Sequence, residues 1–440
     1  MRILLIGSGA REQAMARAIL TSPMCDDLFV APGNGGIEMM LMDKNAANII
    51  AIKPNDITGL VDFAVKKKID FVISGPEEPL TLGLYDAMMA KGVNCLGPSY
   101  QAAKLEGSKL IMKKLAMDNA IPTARYEYFS QPDAAKTFAK KLWHETQKPI
   151  VIKTDGLAAG KGVIIADTLP QAIETIDDML VAKKFGLAGQ TIIIEEFLYG
   201  REISYFVLSD GEHGVFMGSA EDHKQAFDND KGPNTGGMGA FAPSPILTPD
   251  LQATIEKKIV IPTIKGMKKM AEPYSGILFF GLMVDGGEAK LLEINIRLGD
   301  PEAAVILATM QTDFLTALLS AHKKSLDDFS IKHWKKENGE PQMALAVVMA
   351  SRGYPDKPVL GQEIILPTDL PPDCYVFHAS TQYNQQKKLI ANGGRVLTVM
   401  AIGDTIAMVR HKVYGVIDKI IFPDSFYRRD IGERDKKHGY

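Results

Sequence analysis

Short apolar runs alternate with amphipathic stretches through the first hundred residues. The runs fall at 3–6, 28–30, 49–52, 71–73 and 93–96, and the stretches 11–20, 57–68 and 82–91 space their apolar residues three and four apart. The runs predict buried strands, the stretches predict helices, and their alternation predicts βαβ units around a parallel sheet. Three runs end in glycine-rich loops: Gly7-Ser8-Gly9-Ala10-Arg11-Glu12, Pro32-Gly33-Asn34-Gly35-Gly36 and Ser74-Gly75-Pro76-Glu77-Glu78. Ligands of open α/β sheets bind beyond the carboxyl ends of the strands. These loops therefore predict an anion pocket in which backbone N–H groups and Arg11 converge.

The texture changes after residue 104. A helix is predicted over 108–119 and another over 132–141. The segment 150–165 reads as strand, glycine-rich turn, strand, with Gly156, Gly160 and Gly162 in the turn. A second glycine-rich loop covers 231–239, and strands surround 282–284 and 290–296. The last hundred residues carry short strands at 344–349, 375–378 and 395–400, a turn at Asn392-Gly393-Gly394, and a helix over 405–420. The pattern divides the chain at about 104 and 330 into a Rossmann-like parallel α/β domain (1–104), a central α+β domain (105–330) and a small C-terminal α+β/β domain (331–440).

Composition narrows the function classes. Of 440 residues, 46% are hydrophobic and 23% charged, values of a globular chain with a substantial core. The net charge of −3 offers no basic field for nucleic acid, so no nucleic-acid partner is expected. No apolar run approaches the roughly 18 residues of a membrane span, and the run at 3–6 is too short for a signal peptide. Cys25, Cys95 and Cys374 form no C-x-x-C pair, which argues against a disulfide framework or a cysteine zinc site. A reducing, cytoplasmic setting follows as the expectation.

Two familiar motifs fail on inspection. Gly7-x-Gly9-x-x-Glu12 follows a strand, but Glu12 replaces the third glycine of a dinucleotide fingerprint and would repel a pyrophosphate. The acidic ribose contact after the second strand is missing as well. Gly156 to Lys161 is one residue short of a P-loop, and Gly162 stands where the magnesium-binding Ser or Thr belongs. Both loops suit phosphates in other ways, the second as a flap closing with Lys161. Along 292–297, alternation places Glu293, Asn295 and Arg297 on one strand face. A carboxylate and an amide oxygen there suit magnesium, and the guanidinium suits a phosphate or carboxylate. The run 192–198 is a strand entering a polar turn with Arg201-Glu202 just beyond, and such a crossing could offer backbone hydrogen bonds to an adenine and a carboxylate to a ribose. Asp222-His223-Lys224 precedes the second glycine-rich loop.

Taken together, Pro32-Gly33-Asn34, Gly75-Pro76-Glu77, Leu105-Glu106-Gly107-Ser108-Lys109, the segments 153–162 and 232–239, Asp222-His223-Lys224 and Gly299-Asp300-Pro301-Glu302 resemble the ATP-grasp superfamily. Within it the resemblance is to the phosphoribosylamine–glycine ligase family of purine biosynthesis, from Gly7 to Gly432. It implies a central ATP-grasp domain with a mobile lid at about 122–192. It also implies an ATP-dependent ligation of 5-phospho-D-ribosylamine and glycine through glycyl phosphate. By resemblance, Glu293 and Asn295 hold Mg2+ or Mn2+. Lys109, Lys153, Gly156, Lys161 and Gly162 contact the ATP phosphates, and Glu195, Leu198 and Glu202 hold the adenosine. Asp222, Arg297 and Lys153 are the catalytic candidates, with Asp222 and Arg297 also on glycine. Gly9, Arg11, Glu12, Asn34, Glu77, Asp300 and Glu302 line the remaining substrate site. The implied partners are small molecules only, with neither nucleic acid nor membrane, and the expected state is a monomer with a dimer as the alternative. Two departures from the family pattern stand out: Gln13 replaces a usual His and Ser380 a usual Gly. Another ATP-grasp ligase, such as a carboxylase acting on an aminoimidazole nucleotide, would share the metal strand but not the 222–224 and 232–239 segments. Against a non-catalytic nucleotide-binding regulator, Lys153, Glu293 and Asn295 are all present.

Overall fold

A computed structural model describes residues 1–42, 48–156 and 162–433. Its N-terminal sheet is four-stranded and wholly parallel, in the order Asp27–Pro32, Arg2–Gly7, Phe71–Ser74, Cys95–Leu96. Successive side chains of a strand point to opposite faces, and the strand Arg2–Gly7 shows the result. Ile3 and Leu5 pack toward the helices Ala10–Leu20, Glu302–Thr309 and Phe314–His322, while Leu4 and Ile6 pack toward Ile57–Lys67 and Leu84–Met89. Both faces are covered, which is why the run is uniformly apolar. Two expectations shift here. The stretch 49–52 contributes only a single bridge, Val30 to Ile49, to the edge strand. The predicted helix 82–91 is shorter, Leu84–Met89, and a separate short helix, Glu77–Thr81, precedes it across Gly83, whose φ of 86° is left-handed.

The lid is an antiparallel four-stranded sheet, Tyr126–Phe129, Ile192–Glu196, Ile150–Thr154 and Val163–Ala166 in spatial order, with its own core formed against the helices Pro132–Thr146 and Leu169–Ile176. The 150–165 hairpin is present as read, closed by a hydrogen bond from Thr154 N to Gly162 O at 2.9 Å.

The largest element is a nine-stranded antiparallel sheet. Its order is Glu288–Asn295, Ser275–Asp285, Arg201–Asp210, Gly214–Asp222, Gly239–Ala242, Met343–Ser351, Arg395–Gly403 and Cys374–His378, with Ser425–Phe426 also paired to Met343–Ser351. Strands from the central and C-terminal regions are thus hydrogen-bonded into one sheet across 239–242 and 344–347. No helix among the described residues is long and apolar enough to cross a membrane.

Candidate active site

The lid, the carboxyl ends of the N-terminal strands, and the end of the strand Glu288–Asn295 meet around one cleft. Glu293 and Asn295 lie on one face of that strand, as alternation requires, with Asn295 Nδ2 3.5 Å from Glu293 Oε1. Lys224 Nζ stands 3.9 Å from Glu293 and is also paired to Glu202. Burial opposes ionisation of Glu293, but the charges of Lys224, Lys109 and Lys153 outweigh it and hold its carboxyl at about 2. Glu293 is therefore an anion at any working pH. Lys224 is raised in turn, against burial, by Glu202, Glu293 and Asp222.

Arg297 follows on the same face and is held from three sides. Its Nε donates to Glu77 at 3.1 Å, and its Nη2 donates to Glu106 at 3.0 Å and to Asn295 Oδ1 at 3.4 Å. Burial raises Glu106 even though Arg297 opposes it, whereas Arg297 and Arg11 overcome burial at Glu77 and lower it. Glu106 also accepts from Ile296 N at 2.7 Å, which pins the end of the metal-candidate strand.

Asp222 and Glu302 form a carboxylate pair at the cleft floor. Burial and then the neighbouring Glu302 raise Asp222 well above the usual carboxylate range, against the pull of Lys224 and Arg395. Burial raises Glu302 as well, although it accepts from Ser204 Oγ at 3.1 Å. Two such carboxylates disfavour each other's ionisation, and Lys224, Arg395 and Arg297 oppose that only in part. The sign of the pair's linkage follows: acids whose folded values are raised stabilise the fold below the ordinary carboxylate range and lose that contribution as pH rises through the raised values. The stability contributed by this pair should therefore fall between weakly acid and neutral pH, against the rise that the buried His223 and His378, both held at about 4, supply over the same range. Asp222→Asn should flatten that fall, which calorimetry across the same pH range would show; an unchanged slope would mean the pair does not titrate together.

On the lid, Lys153 Nζ contacts Glu195 Oε2 at 3.0 Å, and Lys113 Nζ contacts the same oxygen at 3.1 Å. Glu195 Oε1 is enclosed and has no hydrogen-bond partner among the described residues. Leu198 lies in the crossing from the lid strand to Arg201–Asp210, where Gly200 has a φ of 137° and a Cβ would fall 2.2 Å from Val284 O. Only glycine permits that approach. Lys109 opens the helix Lys109–Asp118, whose N-cap Ser108 bonds Asp155 at 2.9 Å; Leu110 N also donates to Asp155, at 3.1 Å. The base of the lid hairpin is thereby fixed to the helix. Gly156, with a φ of 144°, begins the turn. Lys161 lies outside the described residues.

Some candidates have their side chains engaged in holding the loops. Glu12 turns back to accept from Gly9 N at 2.5 Å and pairs with Arg11 Nε at 2.6 Å. It fills the space a side chain would need at Gly75, where a Cβ would lie 2.0 Å from its carboxylate. Arg11 also donates to Leu298 O at 3.1 Å. Asn34 caps the helix Gly35–Met42 by accepting from Gly36 N and Ile37 N, both at 2.9 Å, and donates to Ser8 O at 2.8 Å and His378 O at 2.6 Å. Gln13 accepts from His378 N at 2.6 Å, so this departure joins the N-terminal helix to the C-terminal region. Asp300 Oδ2 is 3.2 Å from where a Cβ on Gly9 would lie. The loop of the first strand therefore reaches the Asp300–Glu302 turn.

Three residues escaped the sequence reading. Lys113 has no exposed surface, and burial lowers it to about 8 although Glu195 opposes the shift. Glu106 belongs to a segment noted above, but its ion pair with Arg297 spans 191 positions. Arg395 donates to Gly236 O at 2.5 Å and to Asp300 O at 2.6 Å, tying the 232–239 loop to the turn after the metal-candidate strand.

A four-stranded antiparallel sheet carrying Lys153, set against a strand that ends in Glu, Asn and Arg, has the layout of an ATP-grasp ligase. Three family models match in succession: Phosphoribosylglycinamide synthetase N domain over 1–106, its ATP-grasp (A) domain over 107–303, and its C domain over 344–434. The chain belongs to the phosphoribosylglycinamide synthetase family, whose members are ATP-dependent ligases. It is 42% identical to Phosphoribosylamine--glycine ligase of Escherichia coli (strain K12) over 436 residues, covering 99% of this chain and 98% of that protein. The relative of the same name from Caulobacter vibrioides is also 42% identical, over 435 residues. The crystal structure of Phosphoribosylamine--glycine ligase from Thermotoga maritima superposes with a TM-score of 0.81 at 32% identity, covering 98% of this chain and all of that one. A biotin carboxylase domain from Hydrogenobacter thermophilus matches with a TM-score of 0.72 at 15% identity, over 97% and 91% of the two chains, and shows the shared fold alone.

Proposed function

We propose that the chain joins 5-phospho-D-ribosylamine and glycine with ATP, giving glycinamide ribonucleotide, ADP and phosphate through glycyl phosphate, in a cytoplasmic setting. The observation that carries this reading is the convergence of an anionic Glu293, Asn295 and Arg297 with Lys109, Lys153 and Lys224 beside the Asp222–Glu302 pair. That grouping supports phosphate binding and amine binding side by side. The domain division at about 104 and 330 follows the same scheme, with the lid at about 122–192.

Glu293 and Asn295 would hold a divalent cation, Mg2+ or Mn2+, which when bound neutralises charge on the ATP phosphates. Their donors fit it: both are oxygens, and the carboxylate stays ionised. No cluster of three or more His, Cys, Asp or Glu suited to a metal occurs among the described residues. Two protein oxygens suit magnesium, which takes few protein ligands and completes its shell with phosphates and water. Lys109, Lys153 and Lys161 neutralise phosphate charge, and Gly156 and Gly162 let the flap approach the ligand. Glu195, Leu198 and Glu202 hold the adenosine.

Asp222, with Glu302 behind it, takes the glycine ammonium, and Arg297 orients the glycine carboxylate. One carboxylate oxygen attacks the γ-phosphorus, and ADP leaves. The ribosylamine nitrogen then attacks the acyl carbon, phosphate departs, and the nitrogen gives up a proton. The protein's work is positioning and charge neutralisation. Gly9, Arg11, Glu77 and Asp300 border the ribosylamine, while Glu12 and Asn34 act through the loops they hold.

Phosphate release from Mg-ATP tests the reading, measured with both substrates and with each omitted. Release that needs both, with one amide formed per phosphate, is expected. Release without ribosylamine dependence, or none from folded chain that binds ATP, would point to another acid and amine.

A further inference from the structure

The hairpin at 225–234 stands apart from every other sheet. Its strands, Gln225–Phe227 and Lys231–Asn234, pair only with each other. An isolated two-stranded hairpin is marginal in water, and the second strand is largely exposed. Yet the residues that flank this hairpin lie beside Asp222 and Glu293. Lys224 precedes it, and Thr235 to Gly237 follow it. Thr235 bonds back to Lys224 O through N and Oγ1, both at 2.8 Å, and a Cβ on Gly237 would lie 2.7 Å from Asp222 Oδ1. The position of Lys224 and the cover over Asp222 therefore depend on what holds 225–230, together with the Arg395 bonds to Gly236 O and Gly237 O.

The C-terminal segment supplies the hold. Ser425–Phe426 is paired into the large sheet, so the segment has a firm base. Arg428, only 1% exposed, donates from Nη2 to Asp230 at 2.9 Å and from Nη1 to Gln225 O at 3.1 Å. Asp430 bonds Arg428 Nε at 2.8 Å and accepts from Asn229 N at 2.8 Å. Arg429 N donates to Asp228 at 2.8 Å, and the rings of Phe227 and Phe426 pack at 5.7 Å with their planes tilted by 48°. Every residue of the turn from Phe227 to Asp230 is thus engaged by the segment 426–430. A guanidinium with almost no exposed surface, paired with two partly exposed carboxylates, holds the hairpin in one place.

We propose that Arg428 is a positioning residue for the ligation: it fixes the 225–234 hairpin so that the following loop keeps water from the acyl phosphate. The proposal rests on the glycyl phosphate reading above. A loosened hairpin admits water, whose oxygen bonds to the acyl carbon as the C–O bond to phosphate breaks. Glycine and phosphate return, and ATP is consumed without amide. Arg428 touches no substrate, so its loss shows as uncoupling rather than as a simple loss of chemistry.

The test is the ratio of phosphate released to amide formed, measured well below the melting temperature with saturating substrates. Wild-type chain is expected to give one. Arg428→Gln is expected to raise the ratio roughly threefold or more, and Arg428→Lys to restore part of the coupling. Asp228→Ala, an exposed change that removes only the acceptor for Arg429 N, is expected to raise the ratio with an unchanged thermal midpoint. It decides the matter if Arg428→Gln does not fold. Wild type and folded variants all at one phosphate per amide would overturn the positioning role alone. A wild-type chain that makes no amide would remove the functional reading and this proposal with it.

Discussion

Glu293→Ala should lower turnover by about a thousandfold while leaving the fold in place. The carboxylate is the anion about which Lys109, Lys153 and Lys224 are arranged, and it is held ionised far below neutrality. Its side chain keeps about a third of its surface open, with the Lys224 contact at 3.9 Å. The stability change should therefore be within about 1 kcal/mol, as for exposed pairs. Steady-state phosphate release beside a thermal melt separates the two effects. Turnover near that of wild type would remove Glu293 from the metal site.

Arg297→Met should cost more stability, because Glu106 cannot relax into water. Glu106 keeps 6% of its side-chain surface and Glu77 29%. Removing the guanidinium leaves two carboxylates facing each other in a closed space, a change that costs about 3 kcal/mol or more. Activity should fall at least a hundredfold through loss of the glycine carboxylate contact. Arg297→Met combined with Glu106→Gln should recover part of the stability and none of the activity, as denaturant titration and amide formation would show. Recovery of both would reduce Arg297 to a structural pair.

The contrast between these residues explains what sequence could and could not reveal. The face shared by Glu293, Asn295 and Arg297 follows from a two-residue period, a local property of any strand. The parallel sheet was legible for the same reason: its strands are apolar on both faces, and their runs are unbroken. The stretch 49–52 has that composition too. It stays a single bridge beside the edge strand because hydrogen bonding to Val30 at Asn48 and Ile50 ends before Lys53 and Pro54. Arg395 and Glu106 gave no local signal, since their partners lie far along the chain. Lys113 did leave a trace: it falls among Met112, Leu115 and Ala116 on the buried face of its helix, where a lysine needs an internal anion. The roles expected of Glu12 and Asn34 rested on residue type. Which of their bonds go to backbone and which remain for a ligand is decided only by the approach of Gly75 and His378.

The unbroken hydrogen bonding from Gly239–Ala242 into Met343–Ser351 bears on how the chain can be handled in pieces. A fragment ending near residue 330 would keep the lid, the metal-candidate strand and most of the cleft. It would also expose the free edge of Gly239–Ala242, whose side chains are wholly enclosed in the intact chain. An apolar edge without charge or proline recruits other strands. Such a fragment would aggregate through that edge rather than serve as a minimal catalyst, which makes the full chain the practical unit for expression and for building chimaeras.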